Sequence, residues 1–331
     1  MFSEAEKASN SAVGRTILVV SHTHDFHAGE VLGHLARAGA DAVLFDTGRI
    51  PRETALTLSF DTAGWRGSTT VDGRPLDFAK VGAVWWRRPQ AFGLHADIAG
   101  ADDQGFALGE THAAVTGLWN LLDAGWINEP DADERASRKV WQLEIARRAG
   151  LQIPRTLVTS DPDAARQFVA DLRGGAIYKA FSATERTWRE TRRYDSCAAE
   201  RLESVRFAPV IFQECIEAVA DLRVTAVGKQ LFPAAIRVRD EFRYDFRMAM
   251  EDMAIAPFEL PAMVHDALLV MMAVLRLEYG AFDLRLMEDG TCVFLEINPA
   301  GQWLFVEQKT GQPIGLALAE RLVALSTDRD T

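Results

Sequence analysis

Residues 279–301 read YGAFDLRLMEDGTCVFLEINPAG. Two apolar-rich runs in this stretch flank Asp289-Gly290, and an Asp-Gly pair between such runs is a strong signal for a tight β-hairpin turn. If the turn has two central residues, counting outward from it places Asp283 directly across from Glu296. Asn298 follows Glu296 by two positions and therefore points to the same face of the sheet.

Two directly opposed carboxylates repel each other and should weaken the strand pair. A divalent cation between Asp283 and Glu296 would remove this conflict. Mg²⁺ suits the position because it takes one or two carboxylates together with substrate phosphates as oxygen ligands. A one-residue slip would put the two carboxylates on opposite faces. With the register as counted, the stretch predicts a magnesium site formed by Asp283, Glu296 and Asn298.

The bulk composition is that of an ordinary globular protein with more than one packed unit. The 331 residues are 48% hydrophobic and 25% charged, and this length fits two or three units. The formal net charge of −11 argues against broad nucleic-acid binding, which usually needs a basic face. The longest apolar run, from Ala267 to Leu275, is too short to span a membrane. We expect neither a nucleic-acid partner nor a membrane partner.

Cysteine usage and the N-terminus indicate the compartment. Cys197, Cys215 and Cys292 are far apart and form no CxxC pair, which indicates neither a disulfide framework nor a zinc site. The N-terminus is polar and lacks the apolar segment of a signal peptide. We expect a cytoplasmic protein.

Residues 1–124 are predicted to form a small α/β domain. The first strand, helix and second strand make a βαβ unit, and two further strand-like pieces and a helix follow it. In chain order these elements are a strand at 16–20, a helix at 28–38, strands at 42–45, 57–60 and 81–86, and a helix at 105–122.

Two polar clusters in this first part have competing interpretations. His22, His24 and His27 follow the first strand, where α/β folds place ligands, but no second ligand cluster accompanies them and we favour a polar loop. Arg87 and Arg88 follow a tryptophan pair. Such arginines are most often solvated or bridged to an acid, and a contact with an acidic peptide is the minority interpretation.

The remainder alternates helices and strands around several conspicuous polar residues. One helix, predicted at 133–149, carries Lys139, and a later strand at 176–180 carries Lys179. Pro162 is suited to the first turn of the helix between them. In chain order the other predicted elements are strands at 153–159 and 209–216, a hairpin at 221–227 and 231–237, and a helix at 261–277.

Five polar features follow one another along this part of the chain. They are a helix lysine, a strand lysine, a Gln-Glu pair at a strand end, an Asp-x-Arg, and an Asp followed by Glu-x-Asn. This order resembles the ATP-grasp ligase superfamily over roughly residues 125–325. The resemblance implies an α/β (α+β) ATP-grasp fold with an N-terminal pre-ATP-grasp α/β domain. The implied domains are residues 1–124, a central subdomain at 125–212, and a C-terminal subdomain at 213–331 with the hinge and the metal site.

The resemblance also implies a role for each polar residue. Two lysines would neutralise ATP phosphates, a hinge would hold adenine and ribose, and the hairpin would hold Mg²⁺ between the transferred phosphate and ADP. The nucleotide-binding residues would be Lys139, Lys179, Gln213, Glu214, Cys215, Ile216 and Asp221, with the Glu214 carboxylate on the ribose. The glycine-rich loop that many such enzymes place over the phosphates is missing after Lys179.

Three arginines are suited to a substrate carboxylate and to the charge of an acyl phosphate, because guanidinium makes planar two-point contacts. They are Arg223, Arg237 and Arg247. For any one of them alone, an ordinary salt bridge is an equally good interpretation.

The segment from Asn298 to Ile314 resembles the ending of the microviridin-type graspetide synthetases, and the Ser21–His27 and Val84–Pro89 segments are also similar to that family. The resemblance implies that ATP phosphorylates an Asp or Glu side chain of a ribosomally made precursor peptide. A Thr or Ser hydroxyl, or a Lys amine, of the same peptide then displaces phosphate to give an ω-ester or ω-amide ring. It also implies a precursor with a leader and an acidic, Thr-rich core, and a homodimer. Residues 181–205 are the candidate leader-binding surface.

Two alternatives remain open at this point. A related ATP-grasp carboxylate–amine ligase would add an amino acid to a protein or a small acceptor. A non-catalytic ATP-binding regulator would keep the fold without turnover, although the complete set of metal ligands and both lysines argue against it.

Overall fold

The structure is a computed structural model that describes residues 15–181, 191–237 and 253–327. Its first part confirms the predicted βαβ opening and adds three strands that the sequence analysis missed, at Gly64–Val71, Arg74–Asp77 and Gly125–Ile127. The elements are β1 (Thr16–Val20), α1 (Phe26–Arg37), β2 (Ala42–Phe45), β3 (Thr57–Asp61), β4 (Gly64–Val71), β5 (Arg74–Asp77), β6 (Val81–Trp86), α2 (Ala101–Leu121) and β7 (Gly125–Ile127).

The N-terminal sheet is parallel and has the strand order β2-β1-β6-β7. Every residue of β1 is buried, as expected for a parallel strand that is covered on both faces. Strands β3, β4 and β5 form a separate antiparallel meander. Because β7 pairs with β6, this sheet extends three residues beyond the domain boundary predicted after residue 124.

The central part contains a second sheet, in the order β10-β9-β11-β8. Its strands are antiparallel, and the predicted boundary after residue 212 divides one of them, β11, which continues to pair through Glu214. The elements are α3 (Pro130–Ala136), α4 (Lys139–Arg148), β8 (Thr156–Thr159), α5 (Pro162–Ala170), β9 (Ala176–Lys179), β10 (Arg192–Arg193), α6 (Ser196–Glu200) and β11 (Val210–Glu214).

The prediction of a single helix at 133–149 is wrong, because the chain forms two helices there, α3 and α4. Arg138 adopts an extended backbone with ψ of 96° and separates the two helices. Lys139 is therefore the first residue of α4 and projects from a helix end. Pro162 begins α5, as predicted.

The C-terminal part is built on a five-stranded antiparallel sheet in the order β14-β13-β12-β15-β16. One face packs on α4 and α7 through a large apolar core that includes Leu222, Phe282, Phe294 and Leu268. The elements are β12 (Ala220–Val227), β13 (Gln230–Arg237), β14 (Ala254–Pro257), α7 (Ala262–Leu275), β15 (Tyr279–Leu286), β16 (Cys292–Asn298), α8 (Leu304–Thr310) and α9 (Ile314–Thr327).

The β15–β16 hairpin reaches the predicted pairing by a different route. The Met287 N–H donates to the Thr291 carbonyl at 2.9 Å, and Gly290 has φ of +84°, so the loop has three residues rather than two, with glycine in the left-handed position. The pairing then shifts by one residue between Asp283 and Leu284. This β-bulge compensates for the longer loop, and Asp283 faces Glu296 as predicted.

The bulge also explains the apolar pattern of β16. Phe294 and Ile297 are three residues apart, yet both lie in the core on the α4–α7 side. In a regular strand this spacing would put them on opposite faces. The extra residue, Leu295, lets both contribute to the core while Glu296 stays on the other face.

A second core joins the N-terminal and C-terminal sheets. It contains Val19 and Trp85 from the N-terminal sheet, Tyr279 from β15, Trp303 from the loop before α8, and Leu318 from α9. Helix α9 thus packs against the sheet at the opposite end of the sequence. Among the described residues, no helix is both long enough and apolar enough to cross a membrane.

Gly315 is expected to be intolerant of a side chain. A Cβ at this position would lie 2.8 Å from the Trp303 ring, and Trp303 is fully buried. We expect Gly315→Ala to lower the free energy of unfolding by about 1–3 kcal/mol, although alanine favours a helix. The matched control is Gly117→Ala in α2, where the new Cβ meets nothing within 4 Å; it should raise stability by about 0.5–1 kcal/mol. Urea unfolding of both variants measures this, and equal effects would contradict the packing argument.

Candidate active site

One face of the C-terminal sheet carries a row of charged side chains that crosses three strands. Arg223 on β12 is the cross-strand neighbour of Asp283 on β15, and Asp283 is in turn opposite Glu296 on β16. Lys139, at the start of α4, ends the row with an ion pair to Glu296. The structure therefore brings together four residues that the sequence analysis assigned to phosphate and metal chemistry.

Each carboxylate in this row has a cationic partner. Arg223 Nη1 lies 3.2 Å from Asp283 Oδ1, and Lys139 Nζ contacts Glu296 Oε2. The repulsion on which the metal prediction was first based is therefore offset by two protein cations. The case for a metal rests instead on the ligand set.

That ligand set fits Mg²⁺. Asp283 and Glu296 supply carboxylate oxygens on one face, and Asn298 ends the same strand with an amide oxygen that accepts the Ala300 N–H at 2.9 Å. Hard cations such as Mg²⁺ prefer oxygen ligands of this kind. The hydrogen bond from Ala300 holds the Asn298 amide in one orientation, as partners of metal ligands usually do.

A repeated tripeptide builds the charged face. Asp-Leu-Arg occurs at 221–223 in β12 and again at 283–285 in β15, and because these strands are antiparallel, each aspartate faces the arginine of the other copy. Arg285 Nη1 lies 2.7 Å from Asp221 Oδ1. The sequence analysis assigned Asp221 to the nucleotide and missed Arg285, which the repeat could have revealed.

The predicted hinge, Gln213–Ile216, is the point where the chain leaves the central sheet for the C-terminal sheet. The Gln213 side chain is buried, and its amide donates to Thr156 Oγ1 at 3.0 Å. The Glu214 carboxylate is partly exposed at the end of β11. Arg285 Nη2 donates to the Ile216 carbonyl at 3.3 Å, which ties the hinge to the charged face.

Lys179 lies at the end of β9, where it pairs with Ile211 of β11. Its side chain is partly buried on the central sheet, so the two predicted phosphate lysines come from different structural units. The candidate leader-binding segment, 181–205, begins directly after it, and residues 182–190 of that segment lie outside the described residues.

The other two predicted arginines are not placed in the charged row. Arg237 is exposed at the end of β13. The β13 neighbour of Arg223 is Ala234, three positions from Arg237, and an odd spacing puts Arg237 on the opposite face. Arg247 lies outside the described residues.

Arg87 connects the N-terminal domain to the loop that follows β16. Its side chain is fully buried, and its Nε lies 3.3 Å from Asp25 Oδ2. Its Nη1 donates to the carbonyls of Ala300 and Gly301, the latter at 3.2 Å. The interpretation of an arginine bridged to an acid is confirmed for this residue.

Asn128 reinforces the same junction and was missed by the sequence analysis. Its side-chain oxygen accepts the N–H groups of Glu278 and Tyr279, at 2.8 and 3.0 Å. Its amide nitrogen donates to the carbonyls of Tyr279 and Pro299, at 3.0 and 3.3 Å. No periodicity or motif in the sequence predicts such a contact, because it forms only when three segments that are distant in sequence come together in the fold.

The chain aligns with solved macrocyclases along almost its whole length. Residues 16–134 match the family model of the MvdD pre-ATP grasp domain. Macrocyclase MdnC from Microcystis aeruginosa MRC, solved with precursor peptide MdnA, is 31% identical; the match covers 93% of this chain and 99% of that chain, with a TM-score of 0.83. This chain belongs to the graspetide synthetases.

Two further ATP-grasp ligases are similar to this chain. A RiPP-associated ATP-grasp ligase from Chryseobacterium gregarium, solved with ADP and a leader and core peptide, is 25% identical over 93% of this chain and 96% of that chain, with a TM-score of 0.84. PsnB, solved with a minimal precursor, Mg and ADP, is 30% identical over 94% and 97%, with a TM-score of 0.74. No curated protein matches the chain. The predicted ATP-grasp fold with an N-terminal pre-ATP-grasp domain is confirmed.

His22 and His24 lie in the loop between β1 and α1, whereas His27 is the second residue of α1 and so lies outside the predicted polar loop. In the part of the chain that the structure describes, His22, His24 and His27 join no cluster of potential metal ligands. His27 is buried with its ring edge-on to Trp303, at 5.1 Å between centroids. Burial, and then the charge of Arg87, lower the pKa of His27 from 6.5 to about 3.

This pKa shift makes stability dependent on pH. Folded protein keeps His27 neutral, whereas the unfolded chain takes up a proton below about pH 6.5, so stability is lost as the pH falls from 6.5 towards 3. We expect the free energy of unfolding of the wild type to fall more steeply than that of His27→Gln, by up to about 1.4 kcal/mol per pH unit. Urea unfolding between pH 7 and pH 4.5 measures both slopes. His265→Gln, which removes a histidine on the surface of α7, is the control, and parallel curves for wild type and His27→Gln would disprove the assignment.

Proposed function

We propose that this protein is an ATP-dependent macrocyclase of a ribosomally made precursor peptide. It phosphorylates Asp or Glu side chains of the peptide core and joins the resulting acyl phosphates to Thr or Ser hydroxyls, or to Lys amines. The observation that carries this proposal is the 31% identity to a peptide-bound macrocyclase across 99% of that chain. The charged row on β12, β15 and β16 supports it with a ligand set for the phosphate chemistry.

ATP would bind in the cleft between the central and C-terminal sheets. Lys179 would reach its phosphates from the central sheet and Lys139 from α4, while residues 213–216 would hold the base and the ribose at the hinge. In this arrangement Lys139 would give up its ion pair with Glu296 and contact a phosphate oxygen instead. Both partners of the ion pair are about one-quarter exposed, so this exchange uncovers no fully buried charge.

Asp283, Glu296 and Asn298 would hold Mg²⁺, which supplies charge neutralisation for the transferred phosphate. PsnB, solved with Mg and ADP, supports this choice of ion. Arg223 is buried beside Asp283 and would turn its guanidinium towards the acyl phosphate. Water would hydrolyse that intermediate, so the peptide must close the site before phosphate transfer.

Mass spectrometry tests the proposed activity directly. The purified protein is incubated with ATP, Mg²⁺ and the precursor peptide encoded beside it, and we expect the peptide to lose the mass of one water for each link. A gain of one amino-acid mass would instead identify a carboxylate–amine ligase. An unchanged peptide with no ADP release would identify a nucleotide-binding regulator.

Glu296→Gln tests the metal assignment. The substitution keeps size and hydrogen-bonding capacity but removes one anionic ligand, so we expect ADP formation to fall at least about 100-fold, which corresponds to ~2.7 kcal/mol. Glu288→Gln at the exposed tip of the same hairpin is the matched control and should keep full activity. ADP release is measured with a coupled assay, and circular dichroism checks that both variants are folded. Near-normal turnover in Glu296→Gln would remove Glu296 from the metal site.

We also propose a cytoplasmic homodimer. ATP is available in the cytoplasm, and Cys197, Cys215 and Cys292 are all free thiols, which suits a reducing compartment. The resemblance to the microviridin-type family supports the dimer. Light scattering on the purified protein decides between one and two chains per particle.

A further inference from the structure

A cavity of about 440 Å³ opens beside the loop that follows the predicted metal strand. It is lined by the ends of two N-terminal strands, by α3 and by that loop. The lining residues are His22, Trp86, Arg87, Arg88, Pro89, Gln90, Asp133 and Ala300. Because Ala300 is two residues from Asn298, the cavity lies beside the end of the predicted metal strand, on the side of the N-terminal domain.

This position suits the attacking group of the peptide. The proposed nucleotide site takes its lysines from the central sheet and α4, so the phosphate donor occupies the cleft on that side. The attacking hydroxyl would then approach the acyl carbon from another side, and the cavity bounded by the ends of the N-terminal strands is a space that could hold it. The carboxyl ends of parallel strands, here β1 and β6, are where α/β folds present ligand-binding side chains.

Asp133 is the acidic residue of the cavity lining. Its Oδ2 is buried and has no hydrogen-bond partner among the described residues. An unpaired buried oxygen lowers the stability of the fold, and a catalytic role is one reason why a protein keeps such a group. Asn128 lies beside the carboxylate, and the same Asn128 amide contacts the Pro299 carbonyl next to the metal strand. Asp133 is therefore held beside the loop that follows the predicted metal strand, with one carboxylate oxygen that has no partner among the described residues.

We propose that Asp133 is the general base that takes the proton from the attacking hydroxyl of the peptide. The hydroxyl oxygen forms a bond to the acyl carbon, the bond from that carbon to the phosphate oxygen breaks, and inorganic phosphate leaves. The hydroxyl proton goes to the Asp133 carboxylate, which lines the cavity. This inference rests on the proposed macrocyclase function and supplies the proton acceptor that the sequence does not single out.

The electrostatic setting agrees with this role. Burial raises the pKa of Asp133 to about 6, against the hydrogen bond of Asn128 and the charge of Arg87, which lower it. A base with a pKa near the working pH is the most effective proton acceptor. Arg87 and Arg88 from the end of β6, and His22 from the loop after β1, are the charged or titratable groups that share the cavity.

His22 is the competing base. Its Nδ1 accepts the His24 N–H at 3.3 Å, and its side chain lies in a partly exposed loop rather than on a helix. Asp133 is fixed on α3 and has the buried, unpartnered oxygen. The two candidates are separated by comparing Asp133→Asn with His22→Asn.

The test separates the two half-reactions. Hydroxylamine traps the acyl phosphate as a hydroxamate on the peptide, and ring closure appears as a loss of water, so one mass spectrum reports both. In Asp133→Asn we expect ring closure to fall at least about 100-fold while hydroxamate formation stays within about threefold of the wild type. Asp131→Asn, on the exposed side of the same helix, is the control and should change neither.

A second substrate checks that the effect belongs to the attacking group. With a precursor whose acceptor Thr and Ser residues are replaced by Ala, we expect wild type and Asp133→Asn to release ADP at the same rate. Three results would each overturn the proposal. In the first, Asp133→Asn loses hydroxamate formation and ring closure equally, and in the second it keeps the wild-type rate of ring closure. In the third, only His22→Asn loses ring closure while keeping hydroxamate formation. Failure of the proposed function itself looks different, because the wild type would then form no rings in the absence of hydroxylamine.

Discussion

The crossed ion pairs between β12 and β15 are the interaction on which the functional face depends. Two copies of Asp-Leu-Arg run antiparallel, so that Arg223 meets Asp283 and Asp221 meets Arg285. Both pairs are largely buried, and breaking a buried pair by removing one partner typically costs about 3–5 kcal/mol. The pairs hold charged side chains in the middle of a sheet whose other face is apolar, and one of them also fixes the carbonyl of Ile216 at the hinge.

The N-terminal domain and the residues directly after it fix the loop that follows β16, the predicted metal strand. Arg87, neutralised by Asp25, and Asn128 together bond main-chain groups of five residues in and around that loop and β15. Every one of these contacts is to a main-chain group, so they position the loop without dictating its side chains. The geometry of Asn298 is therefore set from both sides, by its own strand and by a neighbouring domain.

The sequence predicted what depends on local pattern and missed what depends on tertiary approach. The Asp-Gly pair and its apolar flanks sufficed for the hairpin and for the pairing of Asp283 with Glu296. The ATP-grasp fold came from the family resemblance that the order of polar residues carries. The pairing was predicted correctly although the loop length was wrong, because a bulge that no local signal marks restores the register. The break before Lys139 and the contacts of Arg87 with the Ala300 carbonyl were not predictable, since they depend on segments that are distant in sequence. The structure shows where the described site residues lie, and the roles assigned to all of the predicted site residues, from Lys139 to Asn298, stay predictions.

The packing of α9 has a consequence for the order of events during synthesis. The apolar face that Val19 and Trp85 present is covered by Leu318 and its neighbours, which leave the ribosome only after the central and C-terminal sheets have been made. Domains that emerge first usually fold first, but this one emerges without its cover. The nascent N-terminal sheet therefore exposes an apolar surface for most of translation, and that period is when the chain is most vulnerable to aggregation and most dependent on chaperones.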